Sequence, residues 1–433
     1  MILGRVKAAS KGPADESGTK GQLRRDYFWN SASSLMFSAS SVLMLLVVTR
    51  WLGLAAAGVF ALATAIGQQL QTLGAFEVRP YQATDVRHQF SFGEYFAARM
   101  FTISLMAVGI VIYAYAAAQP GQAALLIALI ASFRIMDAFE DVFYSEFQRD
   151  GRLDIGGRTN FYRVALTTLS FVVAVYATRD LMWSTVIALF VAVVSFLLIV
   201  LPQARRLFRL RPDFDWRAIF ALLLTCAPLF GSAFLATYLI NAPRFAIERF
   251  LDAEQQGVYA ILFMPAFAIN LLTMLVFRPL LTHLANAWNQ RDLPGFNRLV
   301  IRGLSSVVAA SAVTLVFTFF YGVPVLDFLY DVSLGSFKRP LLVLVLAGAF
   351  NAVGVVFYYA LTTIRQQRVV LIGYLAAAVV AFLSSVSWVP RLAITGAAYS
   401  FAASMLILAA LFGVALLFFM LRALRGWEKA GTK

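Results

Sequence analysis

The hydrophobic positions of this chain neither alternate nor follow a helical stripe. They run unbroken for about twenty residues at a time between short polar breaks, the length a helix needs to cross a hydrocarbon core. Such runs fall near 27–49, 57–78, 97–117, 122–143, 161–178 and 181–202. A second set falls near 218–240, 257–281, 303–323, 340–362, 369–389 and 393–421. The pattern predicts an all-α polytopic membrane protein of about twelve transmembrane helices. Continuous rather than alternating runs argue against a membrane β-barrel.

The runs also repeat. Residues 50–80 read RWLGLAAAGVFALATAIGQQLQTLGAFEVRP, and residues 249–279 read RFLDAEQQGVYAILFMPAFAINLLTMLVFRP. At this constant spacing Arg50 matches Arg249, Leu52 matches Leu251, Gly58 matches Gly257, and Arg79-Pro80 matches Arg278-Pro279. Six spans separate the copies, so both face the same way. That predicts two six-helix bundles related by a parallel repeat about an axis along the membrane normal, with a site between them open to each side in turn. The expected organisation is a flexible basic tail over 1–25, a first bundle over 26–204, a linker over 205–217, a second bundle over 218–422 and a short tail over 423–433.

Composition agrees with the membrane reading: 61% of residues are hydrophobic, only 13% are charged, and mean hydropathy is +0.77. Soluble domains carry roughly 45–50% apolar and about 25% charged residues. The net charge of +14 is distributed unevenly. With both ends inside, 28 Lys and Arg fall on inner segments and 7 on outer turns, Arg50, Arg244 and Arg249 among the latter. This bias predicts cytoplasmic termini. It also explains the basic balance as topology and attraction to anionic lipid, not as a nucleic-acid interface.

Several chemistries are excluded. Cys226 is the only cysteine, and neither His88 nor His283 has a second His or Cys at ligand spacing, so no metal site is expected. There is no phosphate-binding loop for ATP and no catalytic constellation, hence no expected cofactor. The first 25 residues lack the apolar stretch of a signal peptide.

An ionisable group at span depth costs at least roughly 2.5–3.5 kcal/mol, so buried polar residues mark candidate sites. In the fourth span Arg134 and Asp137 are three residues apart and Asp137 and Asp141 four apart, on one helix face, with Glu140 one position round. They either clamp helices together or line a polar cavity. Between the seventh and eighth spans lie Asn241, Arg244, Glu248 and Arg249, with Pro243 expected to interrupt the helix. The first span offers Asn30 and the serines at 33, 34 and 38, which also suit close helix packing. Arg50 and Arg249 suit anchoring at the outer interface equally well.

Three passages carry a resemblance: NSASSLMFSASSVLMLLVVTRWLGLAAAGVFALA, DAFEDVFYSEFQRDGRLDIGGR and NAPRFAIERFLDAEQQGVYAILFMP. On these the chain resembles polysaccharide repeat-unit flippases of the multidrug/oligosaccharidyl-lipid/polysaccharide exporter superfamily. The resemblance covers about residues 25–425. It implies twelve helices in two bundles forming a V, set in the bacterial cytoplasmic membrane. It implies a lipid-linked oligosaccharide of the undecaprenyl-pyrophosphate type, moved outward for surface polysaccharide biosynthesis, with glycosyltransferases and a glycan polymerase as partners. A pyrophosphate needs cations, and arginine's fork suits phosphate. Arg134, Arg244 and Arg249, with Asn30 and Asn241, are therefore the expected head-group contacts. Asp137, Glu140, Asp141 and Glu248 are candidates for the cavity wall or for ion coupling. The alternatives are a multidrug antiporter of the same superfamily and a polymerase or ligase of lipid-linked glycans. The first span has no buried acid of the kind antiporters use, since Asp26 sits at its edge, and no large outer loop suits an enzyme.

Overall fold

The structure, a computed structural model, describes residues 13–85, 89–117, 121–277 and 280–431. Among these residues it is entirely helical. The first half contains α1 (Pro13–Leu52), α2 (Leu54–Ala75), the short α3 (Val78–Thr84), α4 (Phe92–Ala117), α5 (Gln122–Arg149), α6 (Leu153–Thr178), α7 (Leu181–Ser195) and α8 (Leu201–Leu207). One π-helical turn joins α7 and α8 into a single crossing. The second half contains α9 (Trp216–Phe250), α10 (Ala253–Leu262), α11 (Met264–Phe277), α12 (Leu280–Asn289), α13 (Leu293–Phe317), α14 (Val323–Tyr330), α15 (Lys338–Thr363) and α16 (Gln367–Gly431).

Ten of these helical stretches are long and apolar enough to cross a membrane. The last of them is two helices, because Ala393 adopts φ 50° and reverses the chain. The Ser400 hydroxyl then lies 2.7 Å from those of Ser384 and Ser385 across the hairpin. Helices α10 and α11 supply one more crossing, broken at Phe263 because Pro265 has no N–H to donate back to Ile261. Counted this way, the described residues make twelve crossings, as the sequence predicts.

Four helix starts, those of α7, α9, α10 and α13, are set by acidic caps at the turns. Asp180, Asp252 and Asp292 accept from the backbone N–H of Trp183, Gln255 and Gly295 at 2.8, 2.8 and 2.9 Å. Asp215 does the same for α9, accepting from Arg217 N at 2.9 Å. Two details differ from expectation. Residues 13–25, expected as part of a flexible tail, are the first turns of α1. Gln22 donates to Asp154 at 2.8 Å and Asp26 accepts from Asp154 N at 2.7 Å, which ties that end of α1 to α6. Pro243 does not interrupt α9, which runs through both Pro228 and Pro243. In a membrane helix the carbonyl released by a proline is tolerated among neighbouring helices.

The halves form two bundles. In the first, α1 packs against α6, α2 against α5, α4 against α5 and α6 against α7. In the second, α15 packs against α16, α11 and α13, and α16 against α9. The bundles meet where α2 crosses α10 and runs beside α9, with α4 also touching α9. The repeat register is visible at this crossing. Helices α2 and α10 begin at matched positions, Leu54 and Ala253, and cross at the matched glycines. A methyl group on Gly58 would lie 1.8 Å from the Ala253 carbonyl oxygen, and one on Gly257 would lie 2.3 Å from that of Leu54. The contact is reciprocal, as a two-fold axis through it requires. The matched pair Arg278 and Pro279 lies outside the described residues.

Candidate functional site

A cavity of about 160 Å³ sits between the bundles, beside the glycine crossing. Its first-bundle wall is Ser41, Val42 and Leu45 of α1 with Phe60, Ala61, Thr64 and Gln68 of α2. Its second-bundle wall is Ile240 and Arg244 of α9, Ala260 of α10, Phe263 at the break, and Met264, Phe267 and Asn270 of α11, closed by Gly348, Asn351 and Phe401. The wall is largely apolar, and among the described residues its single charge is Arg244.

The sequence placed Arg244 at an outer turn. In the structure it is 8% exposed and points into this cavity. Its guanidinium carbon lies 5.0 Å over the Phe263 ring. One Nη donates to Asn241 Oδ1 at 3.2 Å. Among the described residues Arg244 has no carboxylate partner. Its Nε, Asn241 Nδ2, the Tyr259 hydroxyl and both side-chain polar atoms of Gln256 are buried with no hydrogen-bond partner among the described residues. Tyr259 stacks at 6.2 Å on Phe263, the ring that Arg244 covers. Of these groups Arg244 alone lines the cavity, and a buried charge without a counter-ion is costly unless a ligand meets it.

A second cavity of about 70 Å³ lies within the first bundle and shares Ser41, Phe60 and Thr64 with the first. Arg134, Asp137 and Arg163 line it among hydroxyls and the rings of Phe37 and Phe133. Arg134 pairs with Asp137 at 3.0 Å, as the helix spacing predicts, and lies 5.1 Å over Phe37. It does not pair with Asp141. The second partner of Asp137 is Arg163 of α6, at 2.7 Å, which also pairs with buried Glu140. Asn160 donates to Glu140 at 3.0 Å and accepts from Ser33 of α1 at 2.6 Å. Asp141 turns to the other side of α5, where Arg99 and Arg79 hold it at 2.9 and 3.1 Å. Arg99 also donates to the Gly74 carbonyl at 2.9 Å and is 1% exposed. Every carboxylate of this α5 cluster is thus matched to guanidinium.

Three candidates lie elsewhere. Arg249 is exposed, with its guanidinium 5.4 Å over Phe250, and its repeat partner Arg50 is exposed too. Asn30 accepts from Tyr144 at 2.7 Å between α1 and α5, away from both cavity walls. Glu248, four residues from Arg244, accepts from the Tyr113 hydroxyl of α4 at 2.7 Å. The residues that sequence reasoning missed are Arg163 and Arg99. Both were counted with inner loops, yet each lies inside a helix and is buried. Their position just inside apolar runs, opposite the acids of α5, was the available signal. Among the described residues no group of His, Cys, Asp or Glu is placed to hold a metal ion.

No family model and no curated protein matches the sequence. Solved structures do match. The lipid II flippase MurJ in an inward closed conformation aligns with TM-score 0.65 and 12% identity, over 90% of this chain and 90% of that one. An inward-facing multidrug resistance MATE family transporter of the MOP superfamily aligns with TM-score 0.60 and 14% identity, over 93% and 95%. A MOP-superfamily transporter from Pyrococcus furiosus, described as having a binding pocket of reversed polarity, aligns with TM-score 0.59 and 13% identity, over 93% and 96%. At these identities the likeness is one of fold, and the fold of this chain is that of the MOP-superfamily transporters and flippases.

Proposed function

We propose that this protein is an alternating-access flippase that moves an anionic lipid-linked oligosaccharide, of the polyprenyl-pyrophosphate type, across the bacterial cytoplasmic membrane. The observation that carries the reading is Arg244, a buried guanidinium without a carboxylate at the wall of the inter-bundle cavity. The adjoining pocket, with Arg134, Asp137 and rings of Phe37 and Phe133, offers fixed donors, acceptors and apolar faces for a sugar. At about 160 Å³ the cavity is smaller than typical ligand pockets of ~300–1,000 Å³. On this reading the bundles part further to admit a head group. The polyprenyl chain stays in lipid throughout. Glycosyltransferases that build the glycan inside and a polymerase that consumes it outside are the partners this reading requires.

The second reading is an ion-coupled multidrug antiporter, favoured by the MATE transporters among the matching structures. Against it, the open charge of the cavity is positive, and Asp26 at the edge of α1 is engaged with α6. Reconstituted protein separates the two. Flipping of a labelled lipid-linked glycan in proteoliposomes is expected, without ion-driven efflux of small organic cations. Arg244→Ala should weaken binding of a polyprenyl pyrophosphate by about tenfold or more, the scale of a lost charge-assisted hydrogen bond. Arg244→Lys should restore only part of it, because an ammonium lacks the fork. Cation efflux by the wild type, or lysine serving as well as arginine, would overturn the reading.

The orientation belongs to the same proposal, with both termini in the cytoplasm. Because Cys226 is buried and is the only cysteine, single cysteines introduced at exposed Arg158 or Arg209 can be labelled against a quiet background. They should resist membrane-impermeant maleimide applied from outside. Labelling from outside would reverse the topology.

A further inference from the structure

Arg244 and Glu248 stand four residues apart on one unbroken helix, α9, the spacing at which an arginine and a glutamate meet. They do not meet. Arg244 turns into the cavity over Phe263, while Glu248 turns toward the first bundle and accepts from Tyr113 at 2.7 Å. Among the described residues neither has an ion-pair partner. Both lie within a membrane-spanning helix. Two opposite charges at this spacing in low dielectric would pair with each other unless each were held by something else. Glu248 is held by Tyr113. Arg244 is left open to the cavity.

The holding group belongs to the other bundle. Tyr113 is near the outer end of α4, and its ring also approaches Phe245 of α9 at 6.4 Å. Any opening of the bundles at that end separates α4 from α9 and takes the hydroxyl away from Glu248. Among the described residues Tyr113 is the one donor to Glu248, and a carboxylate that loses it lies one helical turn from a guanidinium without a carboxylate partner.

We infer that Glu248 is a stored counter-ion for Arg244, kept away by Tyr113 while the bundles are closed and released to neutralise Arg244 when they part at the outer end. The inference rests on the anion-site reading of Arg244. It adds that the anion is displaced by an internal carboxylate at the moment of opening, so that release on the outer side follows from the same movement that exposes the site. Because coupling is reciprocal, a bound anion on Arg244 also favours the closed Tyr113–Glu248 pair.

The test measures binding of farnesyl pyrophosphate to purified full-length protein, with farnesol as the uncharged control, and flipping of a labelled polyprenyl pyrophosphate in proteoliposomes. Tyr113→Phe frees Glu248 early and should weaken pyrophosphate binding roughly fivefold or more. Glu248→Gln still accepts from Tyr113 but cannot neutralise Arg244, so binding should match wild type while flipping slows. The double variant Y113F/E248Q should bind as wild type does, a rescue that a merely structural role for Tyr113 would not give. Unchanged binding in Y113F, a double variant as weak as Y113F, or wild-type flipping in E248Q would overturn the inference. If Y113F does not fold, flipping by E248Q decides alone: slowed flipping with wild-type binding supports the inference, and wild-type flipping overturns it. If the wild type prefers pyrophosphate no more than farnesol, or Arg244→Ala binds it equally, the anion site itself fails and the inference with it.

Discussion

Replacing Gly58 with alanine is expected to abolish transport and destabilise the protein. The new methyl would stand 1.8 Å from the Ala253 carbonyl oxygen and 3.0 Å from the Gly257 nitrogen. Those atoms are backbone of another helix and cannot rotate aside. Overpacking in ordinary cores costs about 1–3 kcal/mol, with side chains giving way. Here only the separation of α2 from α10 gives relief, so the bundles are wedged apart at this crossing. Gly257→Ala should act alike, since its methyl meets Leu54 O at 2.3 Å. The double variant should be less than additive, because the first methyl already opens the space for the second. Gly21→Ala is the control, with no atom within 4 Å of the added methyl. Thermal melts in detergent and flipping in proteoliposomes check the result. Wild-type melting and transport in both single variants would show that the crossing is not a close contact in the working protein.

The second large effect is expected at Arg163. Its guanidinium is the shared partner of Asp137 and Glu140, both of which it meets inside the first bundle. Arg163→Ala leaves two buried carboxylates with one remaining cation, Arg134, and breaking such a pair typically costs about 3–5 kcal/mol. Low yield and early melting are the expected outcome. Arg163→Lys should recover part, because one ammonium cannot span two carboxylates as the fork does. R163M/E140Q removes one charge of each sign, leaves Arg134 with Asp137, and should recover most of the stability. If that variant is stable yet inactive, the cluster serves transport; if R163A melts like wild type, the network carries little stability.

Two arginines of the second half, Arg244 and Arg249, show where sequence reading stops. Arg244 and Arg249 share a helix and a local composition, and both sit near a repeat boundary. Five residues of α-helix turn the side chain by about 140°, so one faces the partner bundle and the other faces away. Hydropathy averaged over a span registers their presence and not their direction. Arg99 and Arg163 illustrate the converse. Read along the chain they belong to basic inner loops, but their carboxylate partners lie on α5, dozens of residues away, and only packing of α4 and α6 against α5 brings them together.

What the sequence determined by itself is whatever depends on neighbours along the chain. The unbroken apolar runs dictate helices, because a backbone in hydrocarbon must satisfy its own hydrogen bonds. The acidic caps and Pro265 place their ends, and the repeated Gly-Val-aromatic-Ala passage announces two like halves. The Arg134–Asp137 pair was legible because both members lie within one turn of one helix. The tertiary structure alone decided which polar side chains meet across helices. It gave Arg163 to Asp137 and Glu140, gave Arg99 to Asp141, and set Glu248 against Tyr113 instead of Arg244. It also left Arg244 open in the cavity between the bundles. The reason is physical: a helix's existence is fixed by local hydrogen bonding and hydrophobicity, whereas the facing of each side chain is fixed by how whole helices pack against one another.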